Sequence, residues 1–144
     1  MTPGTFLVDD NFKFRDEKTG KKIFAILNNG VLGSYIAVKT TSKGDRYGIQ
    51  YGCQIMDRFP NFHFVQASCF LQKNTWIQLD DFFEFDAQKL IQKVTNGEIH
   101  RIGVLEPSQT IELLTCASHS DDISSIHEKE IKKTIDAIRN QLSV

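Results

Sequence analysis

The sequence predicts a mainly β chain with C-terminal helices, and three observations carry that prediction. Short runs of β-branched and aromatic residues recur from Thr5 to Phe85. Turn signals separate them, notably Asn28-Asn29-Gly30 and Lys43-Gly44-Asp45. From Asp86 onward the apolar spacing turns helical. The expectation is six or seven strands, at the intervals of a small antiparallel barrel or sandwich, with helices behind them.

In chain order, Thr5–Val8 reads as the first strand, followed by a polar loop through Lys22. The run from Ile23 to Gly30 is apolar on both sides of the alternation, which suits a strand buried on two faces or one in a small barrel. "SYIAVKTTS" is the next strand, and Arg46–Gly52 is placed to pair back after the Lys43-Gly44-Asp45 turn. Asn61–Gln72 and Thr75–Leu79 follow, divided by Lys73-Asn74. Asp80-Asp81 is expected to end the latter strand in a turn.

Asp86 suits the N-cap of a helix that Gly97 terminates. Glu98–Leu105 reads as a strand or an extended connection, and Pro107 opens a further helix. Ser125 and Glu128 form a capping-box pair for the last one. There Ile131, Ile135, Ile138 and Leu142 set one apolar stripe on a charged helix. That stripe suits packing on the strands, or a partner helix or dimer contact.

Totals bound the function classes. At 144 residues the chain fits a single domain with one sizeable core. A net charge of −1 gives no global pull on nucleic acid or membrane. The charge is uneven: residues 1–60 hold nine Lys/Arg against six Asp/Glu, and residues 61–144 hold eight against twelve. This permits a locally basic face on the first half. Cys53, Cys69 and Cys116 are odd in number and widely spaced, which points to free thiols in a reducing compartment. No run reaches the length of a membrane helix, and the N-terminus has no basic and apolar signal pattern, so a soluble intracellular protein is expected.

The Walker A, GxGxxG, GxSxG and HExxH patterns are absent, and no His shows metal-ligand spacing. The stretch that invites function is "KTTSK", Lys39 to Lys43. Hydroxyls beside cations at a strand end suit a phosphate: the hydroxyls donate hydrogen bonds and the cations supply charge. The competing reading is that Thr is β-prone and that Lys and Ser mark the exit into solvent. Lys21-Lys22 carries the same two readings. The aromatic run "FPNFHF" suits base stacking or, with 11 Phe in the chain, a core role.

The order of these parts resembles the PemK/MazF-like toxins of bacterial toxin–antitoxin systems. "GTFLVDD" looks like that family's first strand, and "GKKIFAILNN" sits where the family has a basic pair before a hydrophobic strand. "YIAVKTTS" looks like the strand that ends in a Thr/Ser pair. "ASCFLQKNTWIQLDD", then "NGEIHRIGVLEP", resembles the late strands and final helix. The match covers most of residues 4–116, with a C-terminal helix of about 122–142 as an extension of the same domain.

The resemblance implies an SH3-like barrel of about five to seven strands, usually a homodimer and cytoplasmic. It implies a ribosome-independent endoribonuclease that cuts single-stranded RNA without metal or cofactor and is restrained by an antitoxin protein. By position, Lys21, Lys22, Thr40, Thr41 and Ser42 would be catalytic. Lys39, Lys43, Arg15 and Arg46 would line the RNA path. The chain departs from the family in having Lys-Lys-Ile where Arg-Arg-Pro or a close variant is usual. An ammonium does not replace a bidentate guanidinium freely. The alternative is a non-catalytic barrel that binds nucleic acid or a protein partner.

Overall fold

The computed structural model describes residues 1–143. Its strands are β1 (Thr5–Lys13), β2 (Thr19–Ile26), β3 (Ser34–Thr41), β4 (Gly52–Gln54), β5 (Asn61–Phe64), β6 (Thr75–Asp86) and β7 (Ile99–Val104). Its helices are α1 (Ala87–Thr95), between β6 and β7, then α2 (Pro107–Ser118) and α3 (Ser125–Leu142). The strands form one antiparallel sheet in the order β4-β5-β6-β3-β2-β1-β7. The mainly β architecture with C-terminal helices is therefore as expected. The sheet is open, with β4 and β7 at its edges, and does not close into a barrel.

Both faces of the central strands are buried, which explains the unbroken apolar run of β2. On one face Ala25, Leu27, Ile36, Val38, Phe62 and Ile77 pack with Leu113 and Leu114 of α2 and Ile131 and Ile135 of α3. On the other, Leu7, Phe24, Ile26, Tyr35 and Ala37 pack with Ala87 and Leu90 of α1. α1 follows directly on β6 and covers this second face beside the start of β3. The far end of the same face, where β3 finishes, carries polar residues.

The caps follow the sequence closely. Asp86 Oδ1 accepts from Lys89 N at 2.9 Å, Pro107 opens α2, and Gly97 follows α1 at φ 85°. The cap of α3 lies one residue earlier than expected: Ser124 Oγ, not Ser125, accepts from His127 N. The stripe of α3 is buried at Ile131 and Ile135, half-buried at Ile138 and exposed at Leu142. α3 is also tied to the sheet: Asn28 Nδ2 donates to Glu130 Oε1 at 2.8 Å, and His127 Nε2 lies 2.6 Å from Glu84 Oε1.

Four local expectations change. β1 continues to Lys13 past a bulge between Asp9 and Phe12, because Phe12 packs on Phe24 and Phe83. Lys21 and Lys22 consequently lie within β2 rather than in a loop. Asp80-Asp81 does not end a strand: β6 runs on to Asp86, with Asp81 held by cations and Phe82, Phe83 and Phe85 partly buried. Residues 46–51 form no strand. Their loop packs on Trp76, which stacks with Tyr47 and with His63 and donates from Nε1 to Gly48 O at 2.9 Å. The segment 65–72 likewise leaves the sheet after β5.

The loop seats Gly44 on the Trp76 ring, where an added Cβ would lie 2.2 Å from a ring carbon. Trp76 is buried and stacked against both Tyr47 and His63, which leaves its ring little room to shift. Gly44→Ala is therefore expected to cost about 1–3 kcal/mol, read as a lowered urea midpoint.

The thiol expectation is corrected outright. Cys53 of β4 and Cys116 of α2 are disulfide-bonded, with Cα atoms 5.6 Å apart, and only Cys69 is free. Packing of α2 beside β4 brings together cysteines 63 residues apart, which no spacing rule signals. The bridge removes the thiol argument for a reducing compartment. Among the described residues no helix is long and apolar enough to cross a membrane.

Candidate functional site

The polar end of the second face is built by register. Asp9 of β1 stands opposite Lys22 of β2. Phe24 stands opposite Lys39 of β3, the last pair of the β2–β3 ladder at this end. Thr41 of β3 pairs with Trp76 of β6. Directly opposed residues share a face, so Asp9 and Lys22 lie on the face of Phe24 and Lys39, and alternation along β3 puts Thr41 on it too.

Lys22 is half-buried. Burial is the main cause that lowers its pKa, and the charges of Lys39 and Lys43 push the same way. It makes no ion pair among the described residues. Thr41 Oγ1 accepts from Lys43 N at 3.1 Å, which curls the chain so that Lys43 turns back toward this cluster. The hydroxyl hydrogen of Thr41 stays available to a ligand. Ser42 is exposed beside it.

Arg15 reaches in from the β1–β2 hairpin. Asp81 Oδ2 lies 3.1 Å from Arg15 Nη2 and 3.4 Å from Lys39 Nζ. Arg15 is 87% exposed, so its pairing is worth little and easily exchanged. Four cations thus meet two carboxylates, Asp81 and Asp9, on one end of the sheet. The surplus of positive charge favours an anion.

The structure brings together Lys22, Lys39, Thr41, Lys43 and Arg15, leaves Ser42 exposed just past β3 with no hydrogen bond to them among the described residues, and puts three expected residues outside. Thr40 points to the opposite face, is 5% exposed, and donates from Oγ1 to Ile23 O at 3.0 Å. Lys21 alternates to the other side of β2 from Lys22 and is exposed. Arg46 rides on the loop over Trp76, its guanidinium 4.6 Å from the centre of the Phe59 ring. The aromatic run "FPNFHF" is divided likewise: Phe62 and Phe64 are core, and Phe59 holds Arg46.

Asp9, Asp81, Phe12, Phe14 and Phe83 also line this region and are not flagged by the residue patterns. For the three phenylalanines the signal was the alternation in "NFKF" and "FFEF", which puts aromatic rings on one face of two strands. Among the described residues no group of His, Cys, Asp or Glu is placed to hold a metal ion. No protein family model matches the chain, and no curated protein matches it.

The buried lysine ties pH to stability. Its folded-state pKa is lowered, so between that value and the ordinary lysine pKa the unfolded chain binds more protons. Stability from this group therefore rises with pH across that window, and the cost of the buried charge is fully present below it. Lys22→Gln is expected to raise the melting temperature at pH 7 and to flatten its rise toward pH 10. Thermal melts of both proteins across that range test this.

Proposed function

We propose that this chain is a metal-independent endoribonuclease acting on single-stranded RNA. The observation that carries the reading is Lys22, a half-buried ammonium with two further lysines close by and Thr41 on the same face of the sheet. Transfer of an RNA phosphate to its own 2′-hydroxyl needs a proton acceptor, a proton donor for the leaving 5′-oxygen, and stabilisation of the phosphorane charge. Thr41 and Ser42 donate hydrogen bonds to the non-bridging oxygens. Lys39 and Lys43 attract the phosphate backbone. Lys22 stabilises the phosphorane and protonates the leaving oxygen, a task that a lowered pKa favours. Asp9 stands opposite Lys22, which supports it as the group that takes the 2′-hydroxyl proton in this reading.

An acidic inhibitor protein that covers the same cations, and a second copy of the chain, are the partners that accompany this reading. One observation favours a second reading, an RNA-binding surface without cleavage: Asp81 already engages two of the cations, Arg15 and Lys39. Induced expression in a bacterial host separates the two. Growth arrest with new 5′-hydroxyl RNA ends, lost in Lys22→Ala and Thr41→Ala, supports the nuclease. Normal growth with intact RNA removes it.

A further inference from the structure

Beside the cation cluster lies a hollow of about 140 Å³ lined by Phe12, Phe14, Phe83, Arg15, Lys39 and Asp81. The three rings are only partly buried. Phe12 packs edge-on to Phe14 at 5.4 Å and tilted against Phe83 at 6.2 Å, so ring surface is left facing the hollow. Both cations contact Asp81 through Oδ2, and Oδ1 has no hydrogen bond or ion pair among the described residues. The hollow thus combines aromatic walls, a carboxylate with a free acceptor oxygen, and cations at the rim.

We propose that this hollow is a nucleobase subsite selective for guanine, with Asp81 as the residue that sets the selectivity. A flat ring stacks on the phenylalanines whatever its sequence identity. The carboxylate then chooses among the bases, because it only accepts hydrogen bonds. Guanine presents two adjacent N–H donors, N1–H and the 2-amino group, on its Watson–Crick edge. Adenine and cytosine set an amino group beside a ring-nitrogen lone pair, which repels the second oxygen. Uracil sets one N–H between two carbonyls. Arg15 and Lys39, already on Oδ2, keep the carboxylate oriented and meet the adjoining phosphate. The subsite borrows from the nuclease reading only the polymer that carries the base.

The test is fluorescence anisotropy of the full chain at fixed salt with labelled 2′-O-methyl oligouridines carrying one central guanosine, inosine, adenosine or cytidine. These probes cannot be cleaved through the 2′-oxygen. Guanosine is expected to bind about tenfold tighter than adenosine or cytidine, with inosine, which lacks the 2-amino group, between them. Asp81→Asn is expected to remove that preference while the other probes bind as tightly or tighter, since Arg15 and Lys39 are released. Phe12→Leu, which keeps apolar bulk, should weaken all four probes by about tenfold. Equal affinity for the four probes, no binding of any, or an equal loss across all probes in Asp81→Asn overturns the subsite. RNA cleavage without guanine preference would leave the nuclease standing and remove the subsite; preference without cleavage would do the reverse.

Discussion

Lys22→Ala is expected to reduce formation of 5′-hydroxyl RNA ends by about 10²–10⁴-fold, the usual scale for losing a positioned proton donor. The substitution removes the one ammonium of the cluster that burial sets apart from its neighbours. Binding should fall far less, because Lys39, Lys43 and Arg15 remain to attract phosphate. The loss therefore belongs in the rate at saturating RNA, not in the RNA concentration needed for half-saturation. Lys22→Arg keeps a charge but gives up a proton donor with a lowered pKa. It should restore binding and part of the rate, and the fall of rate with rising pH expected of the wild type should vanish. That fall follows from the sign of the shift: Lys22 deprotonates below the ordinary lysine pKa, so activity drops as pH rises through the lowered value. Thr41→Ala, which removes one donor to the non-bridging oxygens, should cost about 10²–10³-fold.

The largest expected effect on stability comes from the disulfide. Reduction, or Cys53→Ser with Cys116→Ser, is expected to lower the unfolding free energy by about 2–5 kcal/mol. The bridge closes a loop with a sequence separation of 63 residues and ties the short edge strand β4 to α2. β4 holds only three residues and hydrogen-bonds one strand, so little else secures it. α2 packs against α3 and the sheet and should survive the loss. Urea denaturation with and without reductant gives the number. Cys69→Ser, which leaves the bridge intact, serves as the control and should show the same dependence on reductant as the wild type.

The two-sided apolar pattern of Ile23–Gly30, the Asp86 cap, Pro107 and the last helix were legible because local periodicity and capping chemistry decide them. The extent of β1 and β6 was not. Asp9-Asp10 and Asp80-Asp81 look like chain turns, yet a bulge and two cations let the strands continue through them. The candidate site was half legible. "KTTSK" drew notice through its residue types, but alternation sends Thr40 into the opposite face as a bond to Ile23 O. Lys22 and Thr41 come to one face only through the β2–β3 pairing, which the "NNG" turn alone could not fix. Asp81, the disulfide and the Arg46–Phe59 contact depend on residues 63 or 66 positions apart, or on an irregular loop, and carry no local signal.

The central claim is that the Lys22–Thr41 face cuts RNA with protein groups alone. The most direct measurement incubates the purified full chain with single-stranded RNA in excess EDTA and maps the ends formed. The expected result is discrete 5′-hydroxyl and 2′,3′-cyclic phosphate ends, undiminished by EDTA and absent with Lys22→Ala protein of unchanged fold. Intact RNA, cleavage that needs a divalent ion, or cleavage that persists undiminished in both Lys22→Ala and Thr41→Ala would contradict it.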